Sequence, residues 1–256
     1  MASFQVFEQP LNERVRIFLR LETLVSRLKF FSKQTNEFCS YNALLVILEI
    51  TALVERTDIK QETLKELERQ QTLLKVLTTH KGVNKSALEQ VLSKLYLATQ
   101  EVHAISGKMG EHIKAIDFLS ALKQRSSIPG GTCGFDLPEL HHWLSLTPKQ
   151  RIQDITRWSL PYLSLTESIE IILKIVRDSG HSSKVIAASG FYQENLDSQQ
   201  ANQLLRIMIP KNEHFYPEIS AGKQRFSIRF LIKENSDRMA SQKKEDVEFK
   251  LMRCVL

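Results

Sequence analysis

The chain has 256 residues, of which 42% are hydrophobic and 25% are charged, the usage of an ordinary globular protein. It contains only 9 Gly and 7 Pro, too few for a loop-rich β protein, a collagen or a disordered chain, so helix should dominate. The 35 Lys and Arg residues exceed the 29 Asp and Glu residues by six. This modest excess suggests an acidic partner surface and excludes a histone-like polybasic arm.

Nothing in the sequence predicts membrane insertion or export. The longest apolar run is Ala43–Leu48, far short of the roughly 18 residues that a membrane-spanning helix needs. The first residues lack the basic and apolar regions of a signal peptide. The chain contains an odd number of cysteines, which lie far apart in the sequence at Cys39, Cys133 and Cys254. This pattern fits a reducing cytoplasm better than a disulfide framework. We therefore expect a cytoplasmic protein that does not bind membranes.

The chain up to Gly180 is predicted to be mostly helical. Its apolar residues recur with helical spacing, and the second helix is apolar on nearly all sides, as expected of a buried helix. Asn12, Asp58, Asn84 and Thr147 are suitable N-caps, and Pro161 should end the helix that begins at Thr147. Helices are predicted over 13–32, 42–55, 58–77, 84–105, 111–125, 147–160 and 166–177.

Beyond Gly180 the apolar residues alternate, which is typical of strands. Strands are predicted over 4–7, 185–188, 204–209, 225–232 and 247–255. The fold class is α+β, with a helical domain over 12–183 and a smaller antiparallel β domain over 184–256. The N-terminal strand, within 1–11, is expected to pack on the β domain.

No motif predicts an enzyme, a cofactor or a metal. Gly222-Lys223 resembles the end of a phosphate-binding loop but lacks the required upstream glycine. Cys133, His141 and His142 match no standard zinc spacing, and adjacent histidines on a helix point about 100° apart. These histidines are therefore more simply interpreted as surface or pocket residues.

One predicted strand carries a basic row. Arg225 and Arg229 point to one side of it, about 13 Å apart, and Phe226 and Phe230 point to the other. Lys223 would extend the basic row. Arginines held on a rigid strand suit the recognition of carboxylates. An ordinary solvated sheet face is the equally simple alternative, because exposed arginine is common.

The first predicted helix carries a second basic row. Arg16, Arg20 and Arg27 lie within about 40° of one another around the helix axis, and Glu13 can neutralise Arg16. The alternative is the solvated flank of an amphipathic helix.

A basic chain can also bind nucleic acid. Phe226 and Phe230 alternate away from the arginines, so they cannot form a base-stacking platform beside them. No RNA-binding, helix-turn-helix or zinc-finger pattern is present. A nucleic-acid binder and an adaptor dimer for another protein nevertheless stay open as alternatives.

Several unusual motifs, in order over about residues 4–250, resemble the ZapD family of cell-division proteins. They are Phe7–Glu13, Leu19–Glu22, Leu64–Gln71, Ser127–Gly131, Phe135–Pro138, Gly190–Gln193, Tyr216–Ser220 and Arg225–Phe230. The resemblance implies a non-enzymatic, cofactor-free protein of the division septum. It also implies that the chain binds the C-terminal tail of FtsZ and, as a symmetric homodimer, cross-links FtsZ filaments into bundles that stabilise the Z-ring.

The resemblance also implies which residues bind. The positions that match the family's basic surface are Arg20, Arg56, His141, Arg225 and Arg229, and Arg16 and Lys223 are possible additional contacts. In the fifth predicted helix, where relatives can place a basic residue, this chain has Asp117, for which Lys114 could compensate.

Overall fold

The computed structural model describes residues 4–80, 82–197, 199–233 and 239–256. The chain divides into two compact units, Ile17–Ile172 and a second made of Met1–Arg16 with Leu173–Leu256. The observed fold is α+β, as predicted. The helices are α1 (Glu13–Phe31), α2 (Glu37–Glu55), α3 (Ile59–Val76), α4 (Lys85–Ala104), α5 (Glu111–Lys114), α6 (Asp117–Arg125), α7 (Pro138–Ser145) and α8 (Pro148–Asp178).

Helix α2 is apolar and well buried, with nine of its 19 residues buried from solvent. Among the described residues it is the one helix long and apolar enough to cross a membrane on length and composition alone. Half of its most apolar window is buried inside the protein, so packing accounts for this composition. The predicted caps are also observed, since Asp58 accepts from the Gln61 N–H and Asn84 from the Ala87 N–H.

The predicted end of a helix at Pro161 is wrong, because α8 continues through it. Proline removes one helical hydrogen bond, but Trp158, Tyr162 and Leu165 around it are buried, and this packing outweighs the cost. The Tyr162 hydroxyl lies 2.7 Å from Thr51 Oγ1, and burial raises the pKa of Tyr162 to about 12.

The helix predicted over 111–125 is broken into α5 and α6. Ile116 between them is extended, with φ −103° and ψ 107°. Ser120 Oγ donates to the Lys114 carbonyl at 3.1 Å and so satisfies one of the acceptors that the break releases.

The strands of the other unit form two antiparallel sheets rather than the single predicted sheet. The first sheet has the order β1-β4-β8-β2, and the second has β3-β6-β5 with β7 also paired to β6. The pattern of alternation missed three short strands, β3, β5 and β7. The strands are β1 (Phe4–Pro10), β2 (His181–Ala187), β3 (Phe191–Asn195), β4 (Asn202–Pro210), β5 (Phe215–Ala221), β6 (Arg225–Ile232), β7 (Ser241–Gln242) and β8 (Val247–Val255).

A shared apolar core lies between the two sheets. Alternate residues of β4 and β8 from the first sheet meet alternate residues of β6 from the second. The Phe230 and Phe249 ring centroids are 5.0 Å apart across this core. Because side chains alternate along a strand, the intervening residues of β6 must face away from the core.

The N-terminal strand is part of this unit. β1 pairs along its length with β4, as predicted for the N-terminal strand. The Glu8 carboxylate accepts from Arg177 and from Arg206 at 2.8–2.9 Å, and all three side chains are about four-fifths buried. The hydrogen-bonded ion pairs of Glu8 thus link β1 to β4 through Arg206 and to the end of α8 through Arg177.

A second ion pair joins the two sheets. Arg253 on β8 donates to the Glu194 carboxylate on β3, with Nε 2.6 Å from Oε1, and the Tyr192 hydroxyl donates to the same carboxylate. The hydrogen bond from Arg253 lowers the pKa of Glu194, against the opposing effect of burial.

This pair should make folding stability depend on pH. The pKa of Glu194 in the folded state lies below its ordinary value of 4.5. Its stabilisation is therefore complete above about pH 4.5 and is lost as the pH falls through the lowered pKa. Glu194→Gln should lower the free energy of unfolding by about 1 kcal/mol at pH 7 and by much less at pH 3, measured by urea denaturation.

Glu248→Gln is the matched control, because this exposed carboxylate lies on β8 and pairs only loosely with Lys184 at 3.4 Å. It should change stability little at either pH. If Glu194→Gln lowers the free energy of unfolding by the same amount at pH 7 and at pH 3, the ionised pair does not have the proposed stabilising role.

Candidate functional site

Strand β6 positions the basic row that the sequence predicts. It is hydrogen-bonded to β3 on one side and to β5 on the other. Phe226, Ile228 and Phe230 are fully buried in the core, so Arg225 and Arg229 point outward and are exposed. A strand paired on both sides and anchored by buried aromatic rings is a rigid platform for two guanidiniums.

The outward side of the second sheet is called the arginine face below. Cross-strand register and alternation place ten residues on it. They are Phe191, Gln193 and Asn195 of β3, Arg225, Ser227, Arg229 and Leu231 of β6, and Tyr216, Glu218 and Ser220 of β5. Within the part of the chain that the structure describes, neither Arg225 nor Arg229 has an ion-pair partner within 4 Å.

Arg225 lies at one end of this face, beside an open cavity of about 570 Å³. Lys223, Ser220 and Gln193 also line it. Lys223 does not extend the strand row as predicted. It lies in the β5–β6 turn, where the Gly222 N–H donates to the Arg225 carbonyl at 2.9 Å. The turn nevertheless places Lys223 among the residues that line the same cavity.

Arg229 lies at the other end of the face, and its cross-strand neighbours are Phe191 and Glu218. Phe226 and Phe230 point into the core, as predicted. Phe191, an aromatic residue that shares the arginine side, was not predicted from the sequence. Only the register between β3 and β6 reveals it, because Phe191 is far from Arg229 in sequence.

A tight turn before β3 sets the position of Phe191. Ser189 and Gly190 both have positive φ, 48° and 70°, as in a type I′ turn. A Cβ on Gly190 would lie 2.3 Å from the Lys243 carbonyl oxygen. Glycine is therefore required here by conformation and by space.

Two further predicted residues lie in the helical unit. Arg27 of α1 and Glu49 of α2 form an ion pair at 2.9 Å. Arg20 is seven residues before Arg27, and Arg56 is seven residues after Glu49. Seven residues are almost two full turns, so Arg20 lies on the same side of α1 as Arg27. Arg56 directly follows α2 with helical φ and ψ, so it lies on the side of α2 that carries Glu49. Arg20 and Arg56 are both exposed.

Basic residues surround the end of α2. Lys123 and Lys114 lie 3.0 and 3.6 Å from the Glu55 carboxylate. Burial opposes ionisation, but these two ammonium groups outweigh it and lower the pKa of Glu55. Lys114 thus lies beside the residue that precedes Arg56, whereas Asp117 opens α6.

Arg16 is partly neutralised, as the sequence indicates. Its Nε lies 3.1 Å from the Glu13 carboxylate one turn away on α1, and its side chain is half-buried. It therefore offers less free charge than Arg20.

His141 is exposed on α7. The buried Arg151 guanidinium holds the end of this helix, donating to the Leu144 and Leu146 carbonyls at 2.7 and 2.5 Å, and also to Ser40 Oγ on α2. His141 thus lies on a helix fixed to α2.

The chemistry of these surfaces is that of binding. Among residues 4–80, 82–197, 199–233 and 239–256, no group of three His, Cys, Asp or Glu side chains is arranged to hold a metal ion. Exposed arginines on rigid elements suit charge-assisted hydrogen bonds to carboxylates.

The arginines of β6 should contribute little to folding. Replacing both in Arg225→Ala with Arg229→Ala should change the free energy of unfolding by less than about 0.5 kcal/mol, because both side chains are exposed. Phe230→Ala should instead cost about 3–5 kcal/mol, because that ring is fully buried. Chemical denaturation measures both. A loss of 2 kcal/mol or more in the arginine variant would show a structural role for these residues.

Comparison with known proteins identifies the family. The sequence model of ZapD, described as a cell division protein, matches residues 19–229. A "Cell division protein ZapD" of Nitrosomonas eutropha is 40% identical over 250 residues, covering 98% of this chain and 99% of the relative. Proteins of the same name from Chromobacterium violaceum and Nitrosomonas europaea are 37% and 36% identical and cover 97% and 98% of this chain, and 98% and 95% of their own lengths.

These matches confirm the resemblance drawn from the motifs, and they agree with the expectation of a non-enzymatic protein. The chain belongs to the ZapD family of cell division proteins.

Proposed function

We propose that this protein binds the C-terminal tail of FtsZ through its exposed arginines and, as a homodimer, cross-links FtsZ filaments at the cytoplasmic mid-cell division site. The family resemblance supplies FtsZ and its tail as the partner. The observation that carries the proposal is the pair Arg225 and Arg229, exposed on a strand whose opposite side is buried in the core.

A flexible tail with carboxylates fits this surface. Each guanidinium presents a planar set of donors that can hold a carboxylate through two parallel hydrogen bonds. The rigid strand has already fixed the backbone that carries these donors, which reduces the entropy lost on binding. Arg20, Arg56 and His141 are proposed to add a second group of basic contacts in the helical unit, with Arg16 and Lys223 as possible additional ones.

Bundling requires two tail sites in one particle. A symmetric dimer provides two copies of every surface, so one dimer can hold tails from two filaments. A filament displays many tails, and each additional contact is effectively intramolecular, so weak individual binding becomes strong overall. No bond is formed or broken, and neither a cofactor nor a membrane is required.

Nucleic-acid binding is kept as a second candidate because Phe191 lies beside Arg229 on the arginine face. An aromatic ring next to a guanidinium can stack a base. A nucleic-acid site would show micromolar or tighter affinity for oligonucleotides that falls steeply with salt.

The direct test of the proposed function is low-speed sedimentation of GTP-polymerised FtsZ with this protein, beside FtsZ that lacks its C-terminal tail. Bundles of full-length FtsZ should pellet, and tailless FtsZ should stay in the supernatant. Arg225→Glu with Arg229→Glu should abolish pelleting, because two positive charges on the tail-binding face become negative and its net charge changes by four units.

Lys211→Glu with Lys244→Glu is the matched control, since it changes the net charge equally at two exposed residues that lie between strands and outside the arginine face. It should bundle like the unmodified protein. If tailless FtsZ pellets as much as full-length FtsZ, the tail is not the ligand. Unchanged bundling by the double arginine variant would remove the arginine face from the proposal.

A further inference from the structure

The arginine face differs in character along its length. At the Arg225 end it is polar and basic, with Lys223, Ser220 and Gln193 around an open cavity. At the Arg229 end, apolar and aromatic side chains lie beside Arg229 and its cross-strand neighbour Glu218. Tyr216 lies opposite Leu231, and Phe191 lies opposite Arg229.

The apolar end is formed by three adjacent strands. Phe191 of β3 is 37% exposed and Tyr216 of β5 is 39% exposed, while Leu231 of β6 between them is half-buried. Single exposed apolar residues are common on protein surfaces. Here, however, Phe191 lies opposite Arg229 and diagonal to Leu231, and Tyr216 lies opposite Leu231 and diagonal to Arg229, about 5–8 Å between Cβ atoms in each pair. Phe191 and Tyr216 are two strand spacings apart, about 10 Å or more, with Leu231 and Arg229 on the strand between them.

The two ends have a fixed separation. Arg225 and Arg229 are four residues apart on one strand, about 13 Å at 3.3 Å per residue. A ligand that lies extended along the face can therefore place carboxylates at the Arg225 end and an apolar side chain about four residues away at the other end.

We propose that the arginine face recognises an amphipathic acidic segment, in which Phe191, Tyr216 and Leu231 bury an apolar side chain of the ligand while Arg225 and Lys223 bind its carboxylates. This inference rests on the proposed function and adds the residues that would contact an apolar side chain of the bound tail. Burial of that side chain supplies the part of the affinity that does not depend on charge.

Glu218 favours a peptide over a nucleic acid as the occupant. Its carboxylate lies on the same face, directly across from Arg229. A continuous phosphate backbone that followed the face would meet this negative charge, whereas an apolar peptide side chain at the same end carries no charge for Glu218 to repel.

The two ends should respond differently to salt. Exposed ionic contacts weaken as the Debye length shortens, whereas apolar burial does not. Removing the aromatic rings should therefore lower affinity at every salt concentration and leave the salt dependence unchanged. Removing the arginines should lower the salt dependence itself.

The experiment measures binding of two peptide probes to the full chain by fluorescence anisotropy at several salt concentrations. One probe is a synthetic FtsZ C-terminal tail, and the other is an oligoglutamate of the same length, which carries charge without apolar side chains. The double variant Phe191→Ser with Tyr216→Ser should bind the tail about three- to tenfold more weakly, from the loss of partial ring burial. Its binding of oligoglutamate should be unchanged.

Ile186→Ser is the matched control, because Ile186 of β2 is 62% exposed in the same unit and lies outside the arginine face. It should bind both probes as the unmodified protein does. Thermal unfolding of each variant tests whether its fold is retained.

The outcomes separate the two proposals. If the unmodified protein does not bind the tail, the proposed function fails and this inference fails with it. A second outcome is that the tail binds, Arg225→Glu with Arg229→Glu abolishes its binding, and Phe191→Ser with Tyr216→Ser (the aromatic variant) binds normally. In that case the proposed function stands, and only the role given to Phe191, Tyr216 and Leu231 (the aromatic subsite) is wrong. Equal weakening of both probes by the aromatic variant, or tighter binding of a single-stranded oligonucleotide than of the tail, would also overturn the subsite.

Discussion

The arrangement of the candidate site depends on the burial of Phe226, Ile228 and Phe230 between the two sheets. Strand geometry sends alternate side chains to opposite sides, so a strand whose one side is fixed in a core must present its other side to solvent. A shift of β6 by one residue would bury the arginines and expose the phenylalanines. The cost of such a shift keeps the two guanidiniums outward and at a fixed spacing.

A comparable constraint acts in the helical unit. The Arg27–Glu49 ion pair connects α1 to α2, and helical periodicity places Arg20 on the Arg27 side of α1 and Arg56 on the Glu49 side of α2. The charges near the end of α2 are not all free, because Glu55 is neutralised by Lys114 and Lys123. The family-type basic residues of this chain thus belong to two groups, each held by the regular geometry of its own elements.

The sequence predicts most helices and the long strands, because their apolar residues follow clear periods and Asp58, Asn84 and Thr147 cap as expected. It does not predict that α8 continues through Pro161, because the compensating burial of Trp158 and Tyr162 comes from the tertiary fold. Strand β3 is missed because the charged Glu194 lies on its inward side, and β5 is missed because it contains Pro217, a residue that is rare inside paired strands. The outward position of the two arginines can be predicted from alternation within β6. That Phe191 and Glu218 share their face is known only from the pairing of β6 with its neighbours.

The central claim is that a binding partner contacts the outward side of β6. The most direct measurement is a nuclear magnetic resonance titration of the labelled protein with the FtsZ tail peptide, followed through arginine side-chain Nε–H signals assigned by single substitution. The account predicts that the signals of Arg225 and Arg229 shift in a saturable, salt-sensitive way, while that of Arg253, held by Glu194, stays in place. Saturable binding that leaves Arg225 and Arg229 unperturbed would contradict it.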